Sequence, residues 1–393
     1  MSDLSEEQRL MRQSCRDFVD AVIIPFIRKD WQREWLMTPE DRLPPEILEG
    51  AEKVGIRTLG VPEEFGGIEL DPKSEVQTFA LIAEEIARGD SGLADKLVQN
   101  WKVSVLLRNL APRHLQEKWF ERLLANPQFL LAHCLTEPRG ASDRWLPYNV
   151  PEAAMQTRAV RKNSEWIING RKQFISNGYD AGLFVVYANT NPQVGMMQGT
   201  SSFLVPRDTP GLTVARCNET VGCRFMNNGE LVFEDLRVPA DHLLVEGEAL
   251  GKAAVYFRPG KIIQAAKNLG VGVRAFEVAS DYVQSYVQGG RILIKHIRQW
   301  RCGWPTWQPG SKRYARCSRA HQEPSTTMRR TPIPCATWQK CLLRRKSSRS
   351  LSTRSNCTAA TALCSISASR RYSATPRYFC TWTPPSTYHA SRS

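Results

Sequence analysis

Residues 165–190, EWIINGRKQFISNGYDAGLFVVYANT, decide the fold. The stretch is made of short runs with apolar residues at two-residue spacing, punctuated by Asn and Gly, which is the pattern of strands joined by turns. The same character extends back to MQTRAVRKNSEWIING (155–170). It continues forward through SSFLVP (201–206), LTVARCNE (212–219) and GELVFEDLRVP (229–239). The spacing predicts a middle domain over residues 131–246 built as an antiparallel β-barrel or sandwich.

On either side the period lengthens to that of a helix. SEEQRLMRQSCRDFVDAVIIPFI opens with Ser5 and Gln8 in a capping-box pattern and sets Met11, Cys15, Phe18 and Val22 on one stripe. Further helices are predicted after Pro44–Pro45 and ending near Gly55, from Ser74 to Arg88 and closed by Gly89, and around 94–110 and 113–125. These make an α domain over residues 1–130. From Gly247 two helical runs, with Pro259 near the start of the second, carry Ile262, Ile263, Ala266, Leu269, Val273, Phe276 and Val283. They begin a C-terminal helical domain, residues 247–296, that stops abruptly at VQGGRILIKH. The fold class is α+β: an α domain, a β domain and a truncated α bundle.

Residues 297–393 have different chemistry. Residues 1–290 hold 33 Lys and Arg against 38 Asp and Glu, whereas residues 291–393 hold 20 basic residues and one acid, Glu323. The whole net charge of +14 therefore comes from the last quarter of the chain. Four cysteines (Cys15, Cys134, Cys217, Cys223) lie in the first part, in contexts that read as buried thiols, and seven lie in the remainder without zinc-type spacing. There is no basic n-region followed by an apolar h-region and no long uncharged apolar run, so neither a signal peptide nor a membrane span is expected, and the cytoplasm is the expected location.

LTEPRGASD (135–143), NGRKQFISNG (169–178), FLVP followed by PGL (203–212) and VGCRF followed by LVFEDLRVP (221–239) occur together in this order. As a set they resemble the acyl-CoA dehydrogenases, and the resemblance covers residues 1–296. It implies FAD, an acyl-CoA substrate, an electron-transfer flavoprotein as electron acceptor, and a homotetramer or homodimer. The chemistry implied is removal of an α-proton by a carboxylate base while the β-hydrogen leaves as hydride to flavin N5. By position, Leu135 and Thr136 resemble the residues that meet the flavin ring through backbone and hydroxyl. Phe174 stands where an aromatic packs on the ring, and Ser176 where a hydroxyl lies near N5. Ser142 resembles the serine of the pantetheine or phosphate arm, Arg224 and Asn227 lie in the loop of the CoA channel, and Phe257 matches an aromatic near the acyl chain. Each has an ordinary alternative: strand hydroxyls for Thr136 and Ser176, core aromatics for Phe174 and Phe257, a solvated loop for Arg224 and Asn227.

The chain also departs from the family. Arg139 replaces a small residue in the TEPxxGSD turn, and Lys261 stands for an Arg. The arginine for the FAD pyrophosphate falls on Tyr286, with Gln288 as a substitute hydrogen-bonding group. Gly260 occupies the position at which some members hold the catalytic Glu, so no catalytic residue is assigned.

Residues 297–393 are read as the family's own C-terminus translated out of frame, and are expected to be disordered. From Asn356, NCTAATALC permits ELHGGHGAM in the other frame, the glycine loop of the family, and the run that follows permits VDAT near the position of the base, an Asp candidate. HIRQWRCGWPTWQP (296–309) permits HPSMALRLADMATR, which restores helical periodicity. Two competing functions remain open at this level: a flavin monooxygenase or oxidase on the same fold, and a non-catalytic protein whose basic tail attracts anions. The tail has no RNA-binding motif and no basic helical face, so no specific nucleic-acid partner is expected.

Overall fold

The computed structural model describes residues 4–68, 70–139 and 149–293, apart from the side chains of 255–258. The expectations for Ser142 and for residues 297–393 lie outside the described residues.

The N-terminal helices are α1 (Glu6–Phe18), α2 (Ile24–Lys29), α3 (Arg33–Leu36), α4 (Pro45–Lys53), α5 (Glu75–Gly89), α6 (Ser91–Leu110) and α7 (Arg113–Ala125). The capping box forms: Gln8 N donates to Ser5 Oγ at 3.1 Å and Ser5 N to Gln8 Oε1 at 3.2 Å. A π-helical turn, Val19–Ile23, follows α1 and changes the predicted stripe. The turn adds a residue to the helical count, so Val19 and Ile23 face the core and Val22, expected inside, is 37% exposed. α6 starts at Ser91, earlier than predicted, because the Asp90 carboxylate caps it by accepting from Leu93 N at 2.9 Å.

The sheet comprises β1 (Leu131–Cys134), β2 (Arg158–Lys162), β3 (Glu165–Ile175), β4 (Leu183–Asn189), β5 (Thr200–Pro206), β6 (Leu212–Cys217), β7 (Gly229–Pro239) and β8 (Leu243–Val245). The order is β6-β7-β3-β2-β4-β5-β8, with β1 on β4. Most pairings are antiparallel, as the spacing predicts, but β4 runs parallel to β1 and, at Arg158 and Asn189, to β2. The two-residue period sorts β4 between two cores. Phe184, Val186 and Ala188 enter the cluster that holds α1, α5 and the β3–β7 face, whereas Leu183, Val185 and Tyr187 enter the cluster that holds α7. Every residue of β4 is buried, as a central strand covered on both faces requires. α6 contributes Leu97 and Trp101 to the first cluster and Val103 and Leu107 to the second, and so lies between them.

α9 (Ala249–Ser285) is a single helix of 37 residues, not two runs. (A four-residue helix, α8, Met196–Gly199, precedes β5.) Pro259 sits inside α9 and forgoes one backbone hydrogen bond without ending the helix. α9 packs on α5 so closely that a Cβ on Gly270 would lie 2.1 Å from Glu84 O. Arg88 ties the contact with hydrogen bonds to Glu277 (2.8 Å) and Asp20 (2.7 Å). Beyond α9 a hairpin of β9 (Val287–Gln288) and β10 (Arg291–Ile292) turns through Gly289 and Gly290, both at positive φ. Among the described residues no helix is long and apolar enough to cross a membrane. Cys15 and Cys134 are buried as predicted, while Cys217 and Cys223 are only half-buried.

Candidate cofactor and substrate site

The site is assembled where the end of β3 runs back beside β1. Gln173 N donates to Thr136 O at 2.9 Å, and four residues later Asn177 Nδ2 donates to Leu131 O at 3.3 Å. This brings Leu135, Thr136, Phe174 and Ser176 to one edge. α6 holds that edge in place: Asn100 Oδ1 accepts from Leu131 N at 2.9 Å, Lys96 O accepts from Asn177 Nδ2 at 2.9 Å, and the Lys96 ammonium pairs with Asp180.

Phe174 departs from what alternation dictates. Trp166, Ile168 and Lys172 face inward on β3, and period two would send Phe174 after them. The β3–β7 register instead shifts between Lys172 and Ile175. Phe174 takes a positive φ of 57°, so it is turned out to 55% exposure while Ile175 is buried at 2%. A large side chain in the left-handed region carries strain, and a bulge that re-aims a side chain is a recurrent feature near functional sites. Phe174 is therefore not a core aromatic. Thr136 and Ser176 beside it are half-buried.

Beneath this edge lies an ion pair that the sequence patterns did not single out. The Lys172 side chain is fully buried, and its Nζ donates to Glu137 Oε1 at 2.9 Å and to Leu135 O at 3.2 Å. Glu137 also accepts from Gln156 N at 2.8 Å and Thr157 N at 2.9 Å. Burial pushes the Glu137 carboxyl up, but the Lys172 ammonium and these donors hold it below the usual carboxylate range. Burial works the other way on Lys172 and lowers its pKa against the pull of Glu137. Gly170, at φ 146°, lets the chain at Thr157 come close, since a Cβ there would lie 2.6 Å from Thr157 Cα. The signal was present in the sequence: a lysine on the inward side of an alternating strand needs a buried partner.

The substrate candidates are placed differently. Arg224 is buried, donates to Glu34 O at 2.6 Å and Thr220 O at 3.1 Å, and lies 4.5 Å over the Trp35 ring. Asn227 is buried, with Nδ2 on Pro39 O (2.8 Å) and Asp180 Oδ1 (2.9 Å). Arg42 joins them by donating to Arg224 O at 3.1 Å and Asn227 Oδ1 at 3.2 Å. The two residues are thus tied to protein partners in a network between the α3–α4 segment and the β domain, not in a solvated loop. Phe257 lies on α9, and its side chain is outside the described residues. Gln288 is exposed on the hairpin opposite Arg291, with no hydrogen bond to the Thr136 edge among the described residues. Tyr286 is stacked on Tyr282 at 4.8 Å.

Comparison with known proteins adds to this geometry. The family model for the acyl-CoA dehydrogenase N-terminal domain matches residues 5–127, and that for the middle domain matches residues 132–236. Over 295 residues the chain is 32% identical to cyclohex-1-ene-1-carbonyl-CoA dehydrogenase of Geobacter metallireducens, covering 75% of this chain and 72% of that protein. The crystal structure of an acyl-CoA dehydrogenase from Geobacillus kaustophilus matches with a TM-score of 0.69 at 25% identity, covering 82% of this chain and 80% of the other. A glutaryl-CoA dehydrogenase from Mycobacterium smegmatis in complex with FADH2 shares the fold, with a TM-score of 0.64 at 24% identity over 77% of this chain and 72% of the other.

Proposed function

Because the chain belongs to the acyl-CoA dehydrogenase family, we propose that its site is built for α,β-dehydrogenation of an acyl-CoA thioester with FAD as the hydride acceptor. The observation that carries this is the bulge at Phe174, which turns an aromatic ring out to solvent on the stretch that also carries half-buried Ser176 and that is hydrogen-bonded to Thr136. An exposed ring beside Thr136 and Ser176 fits a planar, hydrogen-bonding group. FAD, when bound, supplies hydride acceptance at N5.

The chain's own residues then do the positioning. Phe174, exposed at the bulge, would pack against the flavin ring system. The Leu135–Thr136 backbone and the Thr136 and Ser176 hydroxyls orient its polar edge, and the Lys172–Glu137 pair holds that backbone by fixing Leu135 O. Ser142, Arg224, Asn227 and Phe257 are proposed for the CoA arm and acyl chain, with Arg224 and Asn227 acting as parts of the channel wall. Gln288 is proposed for the pyrophosphate, an electron-transfer flavoprotein for the onward electrons, and a homotetramer or homodimer for the assembly.

Neither position that the resemblance gives for the base carries a carboxylate. Gly260 has no carboxylate, and residues 297–393 contain no Asp and a single Glu, Glu323. The proposal therefore includes inactivity of the chain as written, and recovery when the alternative frame supplies its Asp. The test is anaerobic addition of butyryl-CoA to the FAD-loaded chain and to its frame-restored counterpart, followed at the flavin absorbance. Bleaching in the restored chain alone is the expected result. A restored chain whose flavin is untouched by acyl-CoA but reduced by NADPH would overturn the reading in favour of a monooxygenase.

A further inference from the structure

Glu230 on β7 is the point at which the sheet loses its register on both sides. Toward β3, Lys172 pairs with Leu231 and Ile175 with Gly229, which leaves Gln173 and Phe174 opposite the single residue Glu230. Toward β6, Val214 pairs with Leu231 and Arg216 with Glu230, so Ala215 is extra. Two bulges that converge on one residue bend both neighbouring strands there and re-aim the side chains they carry.

What they bring together is charge. The Glu230 side chain is 3% exposed, and its two carboxylate oxygens are taken by different arginines, Oε1 by Arg171 Nε of β3 and Oε2 by Arg216 Nε of β6 at 2.6 Å. The arginine side chains are themselves 54% and 62% exposed. The carboxylate is thus paired on both oxygens, and the cluster as a whole keeps one positive charge. Among the described residues neither guanidinium has a second polar partner, so their Nη groups remain for other acceptors. Exposed ion pairs add little to stability, and one arginine would suffice to pair Glu230.

The setting points to a ligand that carries phosphate. Phe174, the ring proposed above to meet the flavin, lies in the bulge opposite Glu230. FAD and acyl-CoA each bring a pyrophosphate, yet the position that the resemblance gives for the arginine of the flavin pyrophosphate is Tyr286, and Gln288 offers a hydrogen bond without a charge. A guanidinium presents a planar fork that matches phosphate oxygens. Two of them held on one buried anchor lose little freedom when the anion arrives.

We infer that Arg171 and Arg216, held by Glu230, form a phosphate-binding site beside the Phe174 bulge, and that it takes a phosphate of the bound flavin or thioester. The second clause rests on the acyl-CoA dehydrogenase reading above; the first does not.

The test measures binding of inorganic pyrophosphate, FAD, riboflavin and butyryl-CoA by calorimetry, to the full chain and to its double variant Arg171→Lys with Arg216→Lys. Lysine keeps a cation on each Glu230 oxygen, so the urea midpoint should hold, but it has no fork left over for an anion. Pyrophosphate affinity is expected to fall about 10-fold or more in the double variant, the range of one hydrogen bond to a charged group. FAD should weaken by a similar factor, while riboflavin, which has the ring and no phosphate, should be unaffected. If butyryl-CoA weakens and FAD does not, the phosphate is that of the thioester. A loss for pyrophosphate alone would overturn the assignment to flavin or thioester. Pyrophosphate binding that is absent from the parent, or unchanged in the double variant, would overturn the site itself. A parent that binds pyrophosphate but neither FAD nor butyryl-CoA would leave the site standing and overturn the dehydrogenase reading.

Discussion

Replacing Lys172 by Met should weaken the fold in a way that depends on pH, and the dependence identifies the cause. The substitution keeps an unbranched side chain of similar length in a fully buried position and removes only the ammonium. Glu137 is then left buried with two backbone donors, Gln156 N and Thr157 N. Stranding one partner of a buried pair costs about 3–5 kcal/mol. Glu137 has an escape, because it can take up a proton. At pH 7 that costs about 1.36 kcal/mol for each unit between the pH and an ordinary glutamate pKa near 4.3, or roughly 3.7 kcal/mol, which caps the electrostatic loss. At pH 5 the same cap is about 1 kcal/mol. The Leu135 carbonyl loses its donor at either pH, adding about 1 kcal/mol. The expected destabilisation is therefore about 4–5 kcal/mol at pH 7 and about 2 kcal/mol at pH 5. Urea unfolding followed by the fluorescence of buried Trp101 and Trp119 measures both. The double variant Lys172→Met with Glu137→Gln should recover most of the pH 7 loss. A penalty that is equal at the two pH values, or strictly additive single effects, would refute a charged pair as the basis of the site's support.

Other expectations follow from the same geometry. Glu137 in the parent has a folded pKa below its unfolded one, so its stabilisation is present above about pH 4.3 and is lost as the pH falls through the folded value; Glu137→Gln should flatten the urea midpoint in that acid window. Phe174→Gly should relieve the left-handed backbone by about 1 kcal/mol, raising the melting temperature, while weakening FAD binding by about 10-fold in a fluorescence titration. An unchanged FAD affinity would count against ring packing at this position. Gly270→Ala should cost about 1–3 kcal/mol by forcing α9 away from Glu84 O, and an unaltered melting temperature would show that the helices do not approach so closely.

How much of this was legible in the sequence varies with the range of the interaction involved. Strand periodicity located the sheet, with the segment that forms β4 among its short strand-like runs. Local signals such as the Ser5–Gln8 box appear as read. The π turn at Val19–Ile23 and the bulge at Phe174 were not legible, because each breaks the period on which the reading depends and is set by packing against distant elements. The continuous α9 defeated the usual meaning of Pro259 because the helix is packed on both sides of it, with Ala249, Leu250 and Ala253 in the cluster that holds α7 and Ile263 in the cluster that holds α5. Glu137 and Lys172 left a trace, a charge on an inward position. Arg42 left none: Arg224 and Asn227, which it joins, are more than 180 residues away in the chain, and no local pattern encodes that distance.

The close seat of α9 on α5 has a consequence for the order of events at the ribosome. Arg88 and Glu277 are 189 residues apart, which at about 5–20 residues per second separates their synthesis by roughly 10–40 s. Throughout that interval the landing strip on α5, from Glu84 to Arg88, is made but uncovered. The strip stays open until Gly270 arrives, so trypsin should cut after Arg88 more readily in translation intermediates stalled before residue 270 than in those stalled well after it.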